Sequence, residues 1–317
     1  MRILLVKTSS LGDVVHNLPV VTDIRKALPG VQIDWVVEEG FVELPRLHSG
    51  VERVIPVALR RWRKNLFSGA AWREIRDFRQ TIRAVDYDLV LDTQGLIKSA
   101  LLARVAHGPC SGYGSESARE SLASHLYDAC FDVPRDLHAV LRNRRLAALA
   151  LGYAVPDVLD YGLTSLAVTT NNGPTALLLT ATSRDDKLWP EHAWIALGQD
   201  LARRGMRCVL PSGSSAERER AARVAAAIPS AVALPAMSLT KLAEILAAAS
   251  IVVGVDTGLV HLAAALDRPT IALFCASNPG LTGVLAGGSD TSQAVNLGRQ
   301  GEPAKLDDVL AIVERFL

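Results

Sequence analysis

The sequence predicts an α/β protein built from two doubly wound domains. Three observations carry this reading. Short β-rich runs alternate with helical patterns along the whole chain, 317 residues exceed one ordinary domain, and a turn-rich break divides the alternation into two halves. In the first half the apolar run 2–7 reads as a buried strand, followed by a helix from about 13. Pro19 falls inside that helix and requires a kink or a late start. Strands follow at 31–38 ("VQIDWVVE") and 51–57 ("VERVIPV"), then a helix over 70–85, a strand over 87–92 and a helix over 96–106. The stretch "HAVLRNRRLAALALGY" (138–153) closes this half as a helix. "TTNNGP" (169–174) is the break. The second half reads as strands at 175–181, 206–211, 231–235, 251–255 and 270–274, with helices at 190–204, 214–227, 239–249 and 258–266. The expected domains are therefore 1–168 and 169–317, with an amphipathic helix at about 305–317 free to pack on either, including back onto the first.

Composition narrows the classes of function. Apolar residues make up 49% of the chain and charged residues 21%, enough for a large core and unlike a disordered chain. A net charge of +1 gives no reason to expect nucleic-acid binding. Positive charge is nevertheless concentrated at Arg60, Arg61, Arg63, Lys64, Arg73, Arg76, Arg79 and Arg83, against Glu74 and Asp77 alone. Such a face suits an anionic partner, or is simply a solvated helix surface. Trp62, within this run, is either a membrane-interface aromatic or, more commonly for its type, a buried one. The four cysteines form no C-x-x-C pair, so neither a zinc site nor a disulfide framework is indicated, and a reducing cytoplasm fits. The first apolar run is too short for a signal peptide and no run approaches a membrane span, so membrane contact is expected to be peripheral.

In doubly wound sheets, ligands bind beyond the carboxyl ends of the strands, and three loops there carry candidate chemistry. In "IVVGVDTGLVHLAAAL" the strand ends before Asp256 and Thr257, and Gly258 opens a helix whose first amides suit a phosphate. Ordinary capping by Asp256 or Thr257 explains the same residues. His261, one turn on, faces the same mouth or is structural. In "TATSRDDKLWP", Thr182 and Ser183 offer hydroxyls and Lys187 a mobile charge for a diphosphate, while Asp185 and Asp186 read as a solvated turn. In "SSLGDVVH", Asp13 is either a helix cap or a general base for a hydroxyl acceptor. A helix N-terminus lowers its pKa and weakens it as a base, which burial would offset. Asp86 and Asp88 imitate a D-x-D metal motif but precede their strand, so they read as a capping turn with no metal expected.

The blocks "VKTSSLGDVVHNLP", "DWVVEEGF", "VERVIPVALRRWRK", "DTQGLIKS", "TSRDDKLWP" and "VDTGLVHLAAALDRP" resemble, in order over almost the whole chain, the heptosyltransferase I family. The resemblance implies the GT-B fold, two Rossmann-like domains facing a central cleft, which agrees with the strand–helix reading. It implies metal-independent transfer of L-glycero-D-manno-heptose from ADP-heptose, a co-substrate and not a cofactor, to a Kdo hydroxyl of Kdo2-lipid A. The enzyme would be cytoplasmic, in peripheral contact with the inner membrane, with no nucleic-acid partner. By resemblance Asp13 is the catalytic base, and Lys187 the lysine at the donor phosphates, with Thr182 and Ser183 beside it. Asp256, Thr257, Gly258 and His261 match the signature D-T-G-x-x-H of the donor domain; Met237 matches a methionine near adenine, and Glu217 a glutamate at the donor sugar or ribose. Ser9, Ser10 and Gly12 are expected near the donor, and Arg60, Arg61, Arg63, Lys64 and Arg119 at the acceptor. Ser183 stands where many members have threonine, and "PSG" (211–213) where some have a tryptophan before the glycine. The alternatives are a heptosyltransferase II or III with a later core acceptor, and a sugar-nucleotide-binding or epimerase-like protein on the same scaffold. A periplasmic-type solute-binding protein is disfavoured by the missing signal peptide.

Overall fold

The computed structural model describes residues 1–65, 67–163, 173–182, 184–288 and 291–317. The chain divides into two compact units, Met1–Thr164 and Ser165–Leu317. The boundary expected at 168/169, and most of the "TTNNGP" break, lie outside the described residues.

The first unit runs β1 (Arg2–Val6), α1 (Leu11–Val15), α2 (Leu18–Ala27), β2 (Gln32–Glu38), α3 (Glu43–Arg46), β3 (Arg53–Val57), α4 (Leu59–Lys64), α5 (Gly69–Arg83), β4 (Leu89–Asp92), α6 (Ile97–Ala103), β5 (Cys110–Tyr113), β6 (Ala129–Phe131) and α7 (Ala139–Leu151). Its six strands are all parallel, in the order β3-β2-β1-β4-β5-β6. β1 is central, and Ile3, Leu4, Leu5 and Val6 have no exposed surface, because helices cover both faces and leave no polar side for alternation. The helix expected from about 13 is two helices. α1 ends at Val15, and α2 restarts with Pro19 in its first turn, where the missing N–H costs nothing.

The second unit runs β7 (Thr175–Leu179), α8 (Glu191–Arg203), β8 (Arg207–Leu210), α9 (Ser215–Ala226), β9 (Val232–Ala233), α10 (Leu239–Ala248), β10 (Ile251–Val255), α11 (Gly258–Ala265), β11 (Thr270–Leu273), α12 (Pro279–Thr282), β12 (Ala294–Leu297) and α13 (Leu306–Phe316). Its order, β9-β8-β7-β10-β11-β12, repeats that of the first sheet, and all its pairs are parallel. In both units the strand order reverses at the central pair, β1/β4 and β7/β10, which is where such sheets bind ligands. α13 packs on α8 and β12, with Val309 and Val313 fully buried in the core of this unit.

Three strands were not expected from the sequence: β5, β6 and β12. β6 and β12 are sheet edges of three and four residues, and β5 carries Gly112, a weak strand former. The reason for Gly112 is tertiary, since a Cβ there would lie 2.3 Å from the Tyr127 ring.

Candidate active site

At the switch point of the first unit, the chain leaving β1 is fastened to the chain leaving β4. Gln94 Oε1 accepts from the amides of Thr8 (3.1 Å) and Ser9 (3.3 Å), and the Ser9–Ser10 peptide is cis. Asp13 then falls at the third position of α1. Its Oδ2 accepts from the Ser10 amide (2.9 Å) and hydroxyl (3.1 Å), and its Oδ1 from Arg119 Nη2 (2.7 Å). One carboxylate oxygen therefore does the capping that the sequence allowed, and the other is held by an arginine from the loop after β5. The side chain keeps 14% of its surface exposed, into a polar pocket lined by Lys7, Tyr113, Arg119, Arg142 and Asn143.

Lys7 lies almost wholly inside the protein, donating Nζ to Thr93 O (2.7 Å) and Asn143 Oδ1 (3.2 Å). Burial pushes its pKa down to about 8, with Asp13 partly opposing. For Asp13, burial raises the pKa, but the Lys7 and Arg119 charges and the Ser10 amide outweigh it and bring the carboxyl down to about 2. The offset by burial allowed for in the sequence does operate and is the largest single effect, but the opposing charges and the amide together exceed it. Lys7, Arg142 and Asn143 were missed as site residues. Lys7 directly follows a central strand, which was a usable signal, whereas nothing local marks Arg142 or Asn143 on α7.

Ser9, Ser10 and Gly12, expected at the donor, belong to the first unit around Asp13; the Gly12 carbonyl accepts from His16 N (2.8 Å). Of the acceptor-side cations, Arg61 is committed to Glu39 (Nη2–Oε2, 2.9 Å) and Glu74 (2.9 Å). The Arg60 guanidinium lies 5.7 Å from the centre of the Phe41 ring. Arg63 and Lys64 are exposed and make no ion pair among the described residues. Trp62 is buried, donates Nε1 to Glu74 Oε2 (2.7 Å) and meets the Phe78 ring edge-on. Asp88, from the D-x-D imitation, accepts from the Arg2 amide (2.6 Å).

In the second unit, Asp256 is the hub. Its carboxylate accepts from Lys187 Nζ (2.6 Å) and the Ser277 hydroxyl, with His261 Nε2 3.6 Å away, while its carbonyl accepts from Thr182 Oγ1 (3.1 Å). Burial alone would raise the Asp256 pKa; His261, Lys187 and Ser277 overcome it and hold the carboxyl well below the usual range. Thr182 and Lys187 come from the loop after β7 and Asp256 from the loop after β10, the central strands, while His261 lies on α11 and Ser277 follows β11. Thr257 is the N-cap of α11 but makes no side-chain capping bond, and Asp256 is engaged elsewhere. The capping explanation therefore does not account for "DTG", and the N-terminal turn of α11 keeps its positive end. Ser183 lies outside the described residues. Asp186 pairs with Arg184, half exposed, as expected of a solvated turn.

Glu217 has a clear local use: its Oε2 accepts from the Gly213 (2.8 Å) and Ser214 (3.0 Å) amides, closing a capping box on α9. The spacing Ser214-x-x-Glu217 signals this in the sequence. Met237 is half-buried in the loop before α10. Among the described residues, no helix is long and apolar enough to cross a membrane, and no three His, Cys, Asp or Glu side chains gather in a metal-binding group.

Residues 75–307 match the sequence profile of glycosyltransferase family 9 (heptosyltransferase). A Pseudomonas aeruginosa protein named lipopolysaccharide heptosyltransferase 1 is 53% identical over 89% of this chain and 81% of its own length. A Salmonella typhimurium lipopolysaccharide heptosyltransferase 2 is 35% identical over only 30% of this chain and 29% of its own. Among solved structures, an Escherichia coli heptosyltransferase bound to ADP superposes with a TM-score of 0.93 at 45% identity, both chains covered completely. The same enzyme with ADP-2-deoxy-2-fluoro heptose gives 0.89 at 44%, again with complete coverage of both.

Proposed function

The chain belongs to glycosyltransferase family 9, the heptosyltransferases, and from that premise we propose that it is an inverting lipopolysaccharide heptosyltransferase of the first type, with the GT-B fold. It moves L-glycero-D-manno-heptose from ADP-heptose to a Kdo hydroxyl of Kdo2-lipid A at the cytoplasmic face of the inner membrane. One observation carries the assignment to the first type: a type 1 enzyme is 53% identical over 89% of the chain, while the Salmonella type 2 enzyme reaches 35% over only 30% of it.

The chemistry is a single displacement. Asp13 takes the proton of the acceptor hydroxyl as its oxygen bonds to the anomeric carbon. The bond from that carbon to the diphosphate oxygen breaks, and its electron pair leaves with ADP. Lys7 and Arg119 keep Asp13 ionised and able to accept a proton, but at a pKa of about 2 it is a weak base. An acidic acceptor that draws Arg119 to itself removes the charge at 2.7 Å and strengthens the base when the hydroxyl is in place. Negative charge on the departing diphosphate is met by Lys187 and the N-terminal turn of α11 at Gly258, with Thr182 holding the loop to Asp256. The short hydrogen bonds around Asp256 fix that loop before the donor arrives, so little reorganisation is needed in the transition state.

The test is ADP release by the purified protein with ADP-heptose under three conditions: with Kdo2-lipid A, without acceptor, and with Kdo2-lipid A already carrying one heptose. Release confined to the first condition is expected. Release only with the heptosylated acceptor makes the protein a type 2 enzyme, and conversion of ADP-heptose without any acceptor makes it epimerase-like.

A further inference from the structure

Two aromatic side chains stand in solvent beside the densest run of positive charge in the sequence. Phe67 is fully exposed and Trp72 is 59% exposed. α5 buries Ala71, Phe78 and Ile82 against the sheet. Steps of four, three and four residues gather Trp72, Arg76, Arg79 and Arg83 into a second stripe, roughly a third of a turn away from the buried one, and all four are exposed. Arg83 also donates Nε to Val105 O (3.0 Å). The acids of the segment offset this stripe only at Arg76, through an exposed ion pair with Asp77. Glu74 is engaged by Arg61 and Trp62, and Asp77 lies on another flank of the helix, 3.9 Å from Arg76 Nε. Arg63 and Lys64 extend the positive field from α4.

We infer that the face formed by Phe67, Trp72, Arg76 and Arg79 docks the protein onto an anionic lipid bilayer. Arginines draw the face to negatively charged headgroups; the Trp72 ring, an apolar body with a polar N–H edge, settles at the headgroup boundary, and the wholly apolar Phe67 ring enters the acyl side of it. Trp62, the aromatic that the sequence offered for this role, is buried and takes no part. The inference rests on the proposed function in one respect: an enzyme whose acceptor is held in a membrane must come to that membrane.

The experiment is co-sedimentation of the whole protein with phosphatidylcholine vesicles, with and without phosphatidylglycerol, neither containing acceptor. It is made on wild type, on Phe67→Ser/Trp72→Ser and on Arg76→Gln/Arg79→Gln. Wild type should bind the anionic vesicles at least tenfold more tightly than the neutral ones. Each arginine removed should cost about fivefold on anionic vesicles, and the aromatic pair should lower binding to the same vesicles by about tenfold or more. Turnover with a water-soluble, deacylated acceptor should be unchanged in both variants, which separates this surface from the transfer chemistry. Failure of wild type to bind anionic vesicles, or binding by both variants equal to wild type, overturns the inference. So does dimerisation of the wild type through this face, read as a halved mass for the aromatic variant in light scattering. None of these results bears on whether heptose is transferred.

Discussion

Replacing Asp13 by Asn tests the site at its centre. The change keeps the side-chain shape and an oxygen for the Ser10 amide and hydroxyl, but sets an NH2 group against the Arg119 guanidinium that now donates at 2.7 Å. Loss of the proton acceptor should lower kcat by about 10²–10⁴-fold, or about 3–5.5 kcal/mol of transition-state stabilisation. The KM for ADP-heptose should change little, because Lys187 and Asp256 are untouched. Stability should fall too. The Asp13 carboxyl is lowered from 3.8 to about 2, which at about 1.4 kcal/mol per pH unit is a contribution of about 2–3 kcal/mol at pH 7. Since the folded-state pKa lies below the unfolded one, this contribution is complete above about pH 4 and vanishes as the pH falls through 2. For a unit of this size the Tm should drop by about 4–8 °C at pH 7, and the gap from wild type should close on acidification. The assays are coupled ADP release and thermal unfolding across pH 2–7. Turnover within threefold of wild type would refute the base role, and an unchanged Tm at pH 7 would refute the electrostatic account of Asp13.

Three further outcomes are expected. Lys187→Ala should raise the KM for ADP-heptose and lower kcat, leaving Asp256 with only Ser277 and His261 against its charge; a donor KM and kcat equal to wild type would remove Lys187 from the site. Glu217→Ala should cost about 1 kcal/mol of stability through the lost capping box on α9. If its carboxylate also touches the donor sugar, as the family resemblance implies, the donor KM rises as well, and an unchanged KM confines Glu217 to capping. ADP release should be indifferent to EDTA, since no step asks a metal to meet the diphosphate charge; lost activity restored by a divalent cation would replace Lys187 as the main phosphate partner.

Much of the fold is written locally. Buried parallel strands require continuous apolar runs, and "RILLV" and "IVVGV" announce themselves as β1 and β10. Pro19 announced the break between α1 and α2, because a ring without an N–H fits only a first turn. The loops after β7 and β10 were legible for the same reason, since strand ends at a switch point are where side chains converge. The resemblance then named Asp13, Lys187 and the D-T-G-x-x-H residues, which the structure draws into two clusters, one in each unit.

What the sequence could not determine is which charges meet. Arg61 reads as an acceptor cation until Glu39 and Glu74 close on it from other elements. Trp62 and Trp72 are equally aromatic in the same basic run, and only packing on Phe78 and the turn of α5 decide that the first is buried and the second exposed. Asp13 meets Arg119 across 106 residues, and Lys7 meets Asn143 across 136. Periodicity records which way a side chain faces on its own helix or strand. Pairing energies depend on through-space distance and on the water excluded between groups, and both are set only when the strands have been ordered into a sheet.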